Sequence, residues 1–254
     1  MKKRKNLETL YAQLALDYNA GIEDFQSGTV VFTLPALNPG RRAYSDRLPF
    51  FEMVTVGSSA VIMAEERLCP ALKEWSGGAE EPYWLFEFPR MQKLAEILAP
   101  YGYELTQTHH GYLPAGSFSF APLPEGFSLK WLEQLEIAGF YPNKAYPNGL
   151  QERENPARPD ALALAAMDGE KIAGLAGASA DGKELWQIGI DVLPEYRGRG
   201  LGTVLVRNLA AEIEKRGKLP FYYASLSNLH SQNIAAACGF RPAWVDVSAR
   251  KSED

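Results

Sequence analysis

The feature that most constrains this chain is the continuous run Leu185-Trp-Gln-Ile-Gly-Ile-Asp-Val-Leu193, followed by Pro194-Glu-Tyr-Arg-Gly-Arg-Gly-Leu-Gly202. The first half is apolar and β-branched and stops at a proline, which reads as a strand. Leu201 to Arg216 then carries apolar residues at helical spacing. A strand that passes through a glycine-rich turn into a helix has a physical meaning. Glycines let successive backbone N–H groups converge on one point, and the helix N-terminus adds a partial positive charge. Arg197 and Arg199 add full charges beside it. Such a nest suits a pyrophosphate.

Other phosphate loops match less well. A P-loop ends in Gly-Lys-Ser/Thr, and this chain has Leu201-Gly202-Thr203 with no lysine. A G-x-G-x-x-G dinucleotide fingerprint starting at Gly198 needs glycine at 203, where threonine stands. An arginine–glycine turn that only caps a surface helix is the plainer reading of the loop alone. A nucleotide-binding module, taking ATP or NAD, also stays open at this level.

The rest of the C-terminal half reads as a mixed α/β domain around one central, mostly antiparallel sheet. A helix is expected over Ser128–Ala138, and strands over Ala161–Met167 and Lys171–Ser179, joined by the tight turn Asp168-Gly169. Phe221–Leu226 reads as a strand, Asn228–Cys238 as a helix and Arg241–Val247 as a last strand. Leu113 to Gly126 is rich in Pro, Gly and Ser, so the boundary falls near residue 120. The two domains are then 1–120 and 121–254.

In the N-terminal domain, Leu7 onward has helical spacing. Gly28–Leu34, Phe51–Val56, Tyr83–Phe88 and Tyr103–His109 read as strands. Glu65–Trp75 and the stretch from Pro89 to Pro100 read as helices. Phe51 to Tyr112 thus repeats the order strand, helix, strand, helix, strand of Leu185 to Val247. Two readings follow: a degenerate copy of the later half-fold, shaping the acceptor pocket or a homodimer interface, or an unrelated α/β domain. Glu65-Glu66 and Glu80-Glu81 read as solvated charge, and Trp75, Trp84 and Trp131 as core.

Composition narrows the function classes. At roughly 150 residues per domain, 254 residues suit two domains. A net charge of −5 offers no basic field for nucleic acid, and fits a cationic acceptor better than a polyanion. The two cysteines, Cys69 and Cys238, are isolated, and three histidines cannot build a metal site with so few partners. No apolar run approaches the ~20 residues a membrane helix needs. The expectation is a cytoplasmic protein without membrane, nucleic-acid or metal partners.

Two blocks carry a family resemblance. Arg197, Gly200 and Gly202 match Gln/Arg-x-x-Gly-x-Gly/Ala, and Ile190 to Arg197 is similar to a strand ending in Val-x-Pro-x-Tyr-Arg. Asn228 to Phe240 resembles an Asn-x-x-Ser/Ala helix ending in Gly-Phe. Over about residues 127 to 250 the chain therefore resembles the GNAT superfamily of N-acetyltransferases. The resemblance implies an acetyl-coenzyme A-dependent acyltransferase with a small-molecule or peptide amine as acceptor. It implies that Ile190, Asp191 and Val192 lie on a strand splayed to receive the pantetheine arm. It further implies that the N–H groups of Arg197, Gly198, Arg199, Gly200, Leu201, Gly202 and Thr203 take the pyrophosphate. Asn228 and Ser231 would reach the cofactor, although both also fit a helix start.

The resemblance departs at the chemistry. Many relatives place a proton-donating tyrosine four residues before Gly-Phe, and here Ala235 stands there. Tyr222 and Tyr223 are the substitutes to test; no acidic residue stands out as base, Asp191 being on the splayed strand with Glu184 and Glu195 flanking it. A non-catalytic, regulatory acyl-coenzyme A-binding protein is the competing reading. The acceptor is expected against Phe140–Glu154, held by Tyr141, Tyr146, Glu152 and Glu154. Arg241 to Asp254 holds one strand of about seven residues plus a turn. The edge beside Phe221–Leu226 must then be covered from elsewhere. A segment of the N-terminal domain or the same region of a second subunit is expected to supply the strand, with Gly28–Leu34 and Phe51–Val56 as the first donors by length and composition.

Overall fold

The computed structural model describes residues 2–42, 44 and 47–253, so Met1 and Asp254, which bound the two expected domains, lie outside the described residues. In chain order come α1 (Lys2–Asp17), β1 (Val30–Thr33), β2 (Phe51–Thr55), β3 (Ala60–Ala64), α2 (Cys69–Ser76), α3 (Phe88–Leu98), β4 (Tyr103–Leu105) and β5 (His109–Pro114). Then follow β6 (Ser128–Leu132), α4 (Gln134–Ala138), β7 (Asp160–Asp168), β8 (Lys171–Ser179), β9 (Leu185–Val192), α5 (Leu201–Lys215), β10 (Leu219–Ser225), α6 (Leu229–Cys238) and β11 (Phe240–Lys251). The class is mixed α/β. The chain divides into two compact units that are interleaved along the sequence, where the sequence reading places one cut near residue 120. The larger takes residues 2–9, 112–224 and 228–241, and the smaller takes residues 10–111, 225–227 and 242–253.

The larger unit has the strand order β6-β7-β8-β9-β10, with the Tyr112–Pro114 end of β5 beside β10. β6 to β9 are antiparallel and β9–β10 is parallel. α5 buries Leu201, Leu205, Leu209 and Ile213, one face at helical spacing, against Leu162, Leu164, Ala176 and Ile188 of the sheet. Each leucine so buried contributes about 1.5–3 kcal/mol. The helix expected over Ser128–Ala138 is a correction. Ser128–Leu132 forms β6 and pairs with β7, Trp131 opposite Leu164, and only Gln134–Ala138 is helical. The open edge of β7 offers these residues a ladder, and pairing overrides their modest helix preference. The strand beside β10 is β5, which lies within residues 1–120 as expected, but it is neither Gly28–Leu34 nor Phe51–Val56.

The smaller unit orders its strands β1-β3-β2-β11, with β4 also on β11. β1 and β3 are parallel and the other pairs antiparallel. Its core gathers Phe51, Met53, Ile62, Leu68, Leu72, Leu94 and Leu98. Three local expectations fail here. Ala60–Ala64 is a wholly buried strand, where the sequence reading placed no element between Val56 and Glu65. Tyr83–Phe88 is not a strand: Pro82–Phe86 is a 3-10 helix between Pro82 and the proline-led α3, and Trp84 is exposed. Tyr103–His109 is broken after Leu105 into β4 and β5. The order β2-β3-α2-α3-β4 therefore does not repeat β9-α5-β10-α6-β11.

Candidate functional site

β9 and β10 are paired only over Leu185–Ile188 and Leu219–Tyr222. β9 continues to Val192, but there its ladder runs to β8 alone, Ile190 opposite Ala176 and Val192 opposite Gly174. Past Ile188 the two parallel strands diverge. A cleft of about 870 Å³ opens at the divergence, walled by Ile190 to Val192, the glycine loop and the first turns of α5 and α6.

The loop is built as the glycines require. Gly198 and Gly200 hold φ of +77° and +81°, which side chains rarely adopt, and Gly200 is the N-cap of α5. Val204 N–H donates to the Gly200 carbonyl at 3.2 Å, the first bond of the helix. The N–H groups of Leu201, Gly202 and Thr203 precede it and have no helical acceptor. All three residues line the cleft, as do Arg197, Gly198 and Gly200. Two parts of the expectation change. The Arg197 N–H already donates to the Pro194 carbonyl at 3.3 Å, so it is not part of the nest. Arg199 is not in the wall; its guanidinium lies 5.4 Å from the Tyr196 ring centroid. Arg197 stays beside the cleft because its Nε donates to the Val192 carbonyl at 3.0 Å.

The opposite wall is α6. Asn228 caps it, its Oδ1 accepting the Ser231 N–H at 3.1 Å, and both residues also line the cleft. Sequence reasoning missed His230, Asn233, Ile234 and Ala237 on the same helix. Their spacing of three and four was the available signal. A Cβ on Gly202 would stand 3.3 Å from Ile234 Cδ1 and 3.8 Å from Val192 Cγ2, so that position sits at the floor between the walls. Cys238 behind it donates Sγ–H to the Thr203 carbonyl, and burial pushes its thiol up to about 12.

Asp191 lies on the face of β9 opposite Ile190 and Val192. Its carboxylate accepts Asn148 N–H at 2.7 Å, Asn148 Nδ2–H at 2.6 Å and Gly149 N–H at 2.8 Å. This candidate base is therefore an anchor for the 148–149 loop. The loop lies against glycines: a Cβ on Gly177 would collide with the Gly149 carbonyl oxygen, and one on Gly189 with that of Asn148. The acceptor stretch is also corrected. Tyr146 is buried and its hydroxyl donates to the Ile172 carbonyl at 3.2 Å, so its ring face is not open to an amine. Tyr141 donates to Asp160 at 2.7 Å, and burial beside that carboxylate raises its phenol strongly. Glu152 and Glu154 are exposed. Tyr222 is buried with its hydroxyl bonded to Ser231, and Tyr223, on the other face of β10, does not line the cleft.

Among the described residues no group of three or more His, Cys, Asp or Glu could hold a metal, and no helix is long and apolar enough to cross a membrane. Residues 127–240 match the family model of the acetyltransferase (GNAT) family. Among solved structures, a GCN5-related N-acetyltransferase-like protein from Streptococcus suis is 18% identical, covering 65% of this chain and 69% of its own, at a TM-score of 0.48. A GCN5-related N-acetyltransferase from Kribbella flavida is 20% identical over 63% of this chain and 64% of its own, at a TM-score of 0.44. A tandem GNAT protein from the clavulanic acid biosynthesis pathway is 18% identical over 63% and 59%, at a TM-score of 0.43. No curated protein matches this chain.

Proposed function

From the premise that residues 127–240 are an acetyltransferase (GNAT) domain, we propose that the chain moves an acetyl group from acetyl-coenzyme A to a primary amine of a small molecule or peptide. The observation that carries this is one cleft in which a diverged strand edge meets an anion nest. The pyrophosphate rests on the N–H groups of Leu201 to Thr203 with Arg197 beside them. The pantetheine arm follows β9 past Val192 and Ile190, and Asn228 and Ser231 face it from α6.

The neutral amine attacks the thioester carbonyl, and the carbon–sulfur bond breaks with its electron pair on sulfur. The carboxylate of Asp191 already takes three N–H donors, so the amine's proton goes to water. Exposed Glu152 and Glu154 draw the cationic acceptor toward the loop they belong to. A second reading, an acyl-coenzyme A-binding protein without turnover, is favoured by Ala235, which is wholly buried and outside the cleft wall. Calorimetry with coenzyme A, followed by thiol release across an amine panel, tests both. Amine-dependent release supports the transferase, and binding without release under any amine supports the second reading. No binding at all sinks the pair.

A further inference from the structure

One buried acceptor on the sheet is left without a donor. Gln187 Oε1 is sealed from solvent and has no hydrogen-bond partner among the described residues. Gln187 as a residue is only half-buried, so its amide is not walled in on every side. An acceptor left unmade in this way costs about 1–3 kcal/mol. Its neighbours on the same face are satisfied. Ser179, opposite it on β8, donates Oγ–H to Asp181 at 2.6 Å. Asp191, further along β9, takes three N–H groups. Gln187 Oε1 is therefore open to a donor from outside the chain.

The position of Gln187 on the sheet shows where such a donor arrives. Side chains alternate along β9. Ile188, Ile190 and Val192 pack on the α5 side, which is the side of the cleft. Gly189 and Asp191 face the other way, under the 148–149 loop, and Gln187 shares that face. Ile188, opposite Tyr222, is the last position at which β9 and β10 are paired. Gln187 thus stands one residue before the strands part. From Val192, beside the glycine loop, to Ile188 is about 13 Å of strand at roughly 3.3 Å per residue. An arm anchored on Leu201 to Thr203 and laid along β9 brings its thioester to that fork.

Resting on the acetyl-coenzyme A reading, we infer that Gln187 Oε1 holds the acceptor nitrogen by one N–H and thereby selects primary amines. The arm fills the cleft side of the fork, and the nitrogen comes to the thioester carbon from the other face. A half turn about the last side-chain torsion, which is broad and two-fold, presents Oε1 to it. The nitrogen's lone pair forms the bond to carbon, and the carbon–sulfur bond breaks with its electron pair on sulfur. One N–H proton passes to water. The second stays on nitrogen in the product amide, and that is the one Gln187 accepts. Its bond to Oε1 strengthens in the transition state, because the nitrogen turns positive as it attacks. A primary amine has one proton to release and one to keep. A secondary amine has a single proton, which cannot be released and held together.

Initial rates of thiol release are measured at saturating acetyl-coenzyme A for wild type, Gln187→Met and Gln187→Leu. The amines are benzylamine, butylamine and glycyl-leucine, each beside its N-methyl counterpart. Wild type is expected to favour the primary member of each pair in kcat/KM. Gln187→Met keeps the length and loses the carbonyl. It should lower kcat/KM for the primary amine about tenfold, the worth of a hydrogen bond to a group gaining charge. The N-methyl amine should lose about twofold at most, since it has no spare N–H to offer. Gln187→Leu should behave alike. Replacing an unpaired polar group by an apolar one of its shape is neutral or stabilising, so both variants should melt no lower than wild type and bind coenzyme A as tightly. If the ratio of primary to N-methyl rates is unchanged in either folded variant, the inference is overturned while the acetyl-coenzyme A reading stands. A lowered melting temperature with that ratio intact would assign the amide a structural role instead. If wild type releases no thiol with any of these amines, the transferase reading falls and the inference falls with it.

Discussion

Residues 51–66 and residues 185–203 begin alike and end as opposites. Each is a strand that runs into glycine, Gly57 in one and Gly198 and Gly200 in the other. After Gly57 the chain turns back on itself. Val56 N–H donates to the Ser59 carbonyl at 3.1 Å, Thr55 Oγ1–H to the same carbonyl at 2.9 Å, and Gly57 N–H to Thr55 Oγ1 at 3.1 Å. β3 then pairs along β2. Two of its N–H donors, those of Val56 and Gly57, are taken up within the turn. After Gly200 the chain enters a helix, whose first N–H groups have no partner. Glycine alone does not make an anion site; the element that follows it does.

The largest expected effect tests that contrast directly. Gly202→Glu places a carboxylate against the pyrophosphate and should lower coenzyme A affinity by about 100-fold or more. Ser58→Glu, an exposed position in the other turn, should leave it unchanged. Calorimetry on the two folded variants decides; equal affinities would remove the loop from the site.

A smaller effect is expected from the side chains that fix each turn. Asp191→Ala strips three N–H groups of their acceptor and should reduce kcat/KM for the amine by about tenfold, with roughly 1–3 kcal/mol of stability lost. Thr55→Val should cost about 1 kcal/mol and leave turnover alone. Steady-state kinetics beside thermal melts separates them. Unchanged amine kinetics in Asp191→Ala would mean the 148–149 loop does not bear on the acceptor.

The last effect is a pH dependence of stability set by Glu52 in the first of the two regions. Burial drives the Glu52 carboxyl from 4.5 to about 7, while Arg41 at 3.2 Å pulls the other way and is the weaker influence. A carboxyl raised in the folded state contributes stability below its unfolded value and loses it as pH rises through the folded one. Melting temperature should therefore fall as pH climbs from about 4.5 to about 7, by the equivalent of about 1–2 kcal/mol, and Glu52→Gln should flatten the curve. A flat wild-type curve would show that Arg41 offsets burial.

What the sequence disclosed was local. Asp168-Gly169 ends β7 and admits β8, Gly200 starts α5, and Asn228 caps α6, each through its own backbone chemistry. What it hid depended on a distant partner. Ser128–Leu132 is a strand because β7 offers an edge. Ala60–Ala64 is a strand because it lies between β1 and β2, and a five-residue apolar run carries no period that says so. Asp191 looked like a base because Asn148 and Gly149, its donors, lie 43 and 42 positions away.

The two glycines beneath the 148–149 loop bear on how this protein could diversify. Gly177 and Gly189 each face a loop carbonyl that leaves no room for even a methyl group, so neither strand position can vary without lifting the loop. Leu150 and Asn143 are buried and bonded in place, Asn143 Nδ2 donating to the Tyr146 and Leu150 carbonyls at 2.8 and 2.9 Å. Variation is left to the exposed tips Lys144, Ala145 and Pro147, since the Asn148 side chain is held by Asp191. A library randomised at those three positions should yield folded proteins with altered amine preference, whereas one randomised at the glycines should yield mostly insoluble chains.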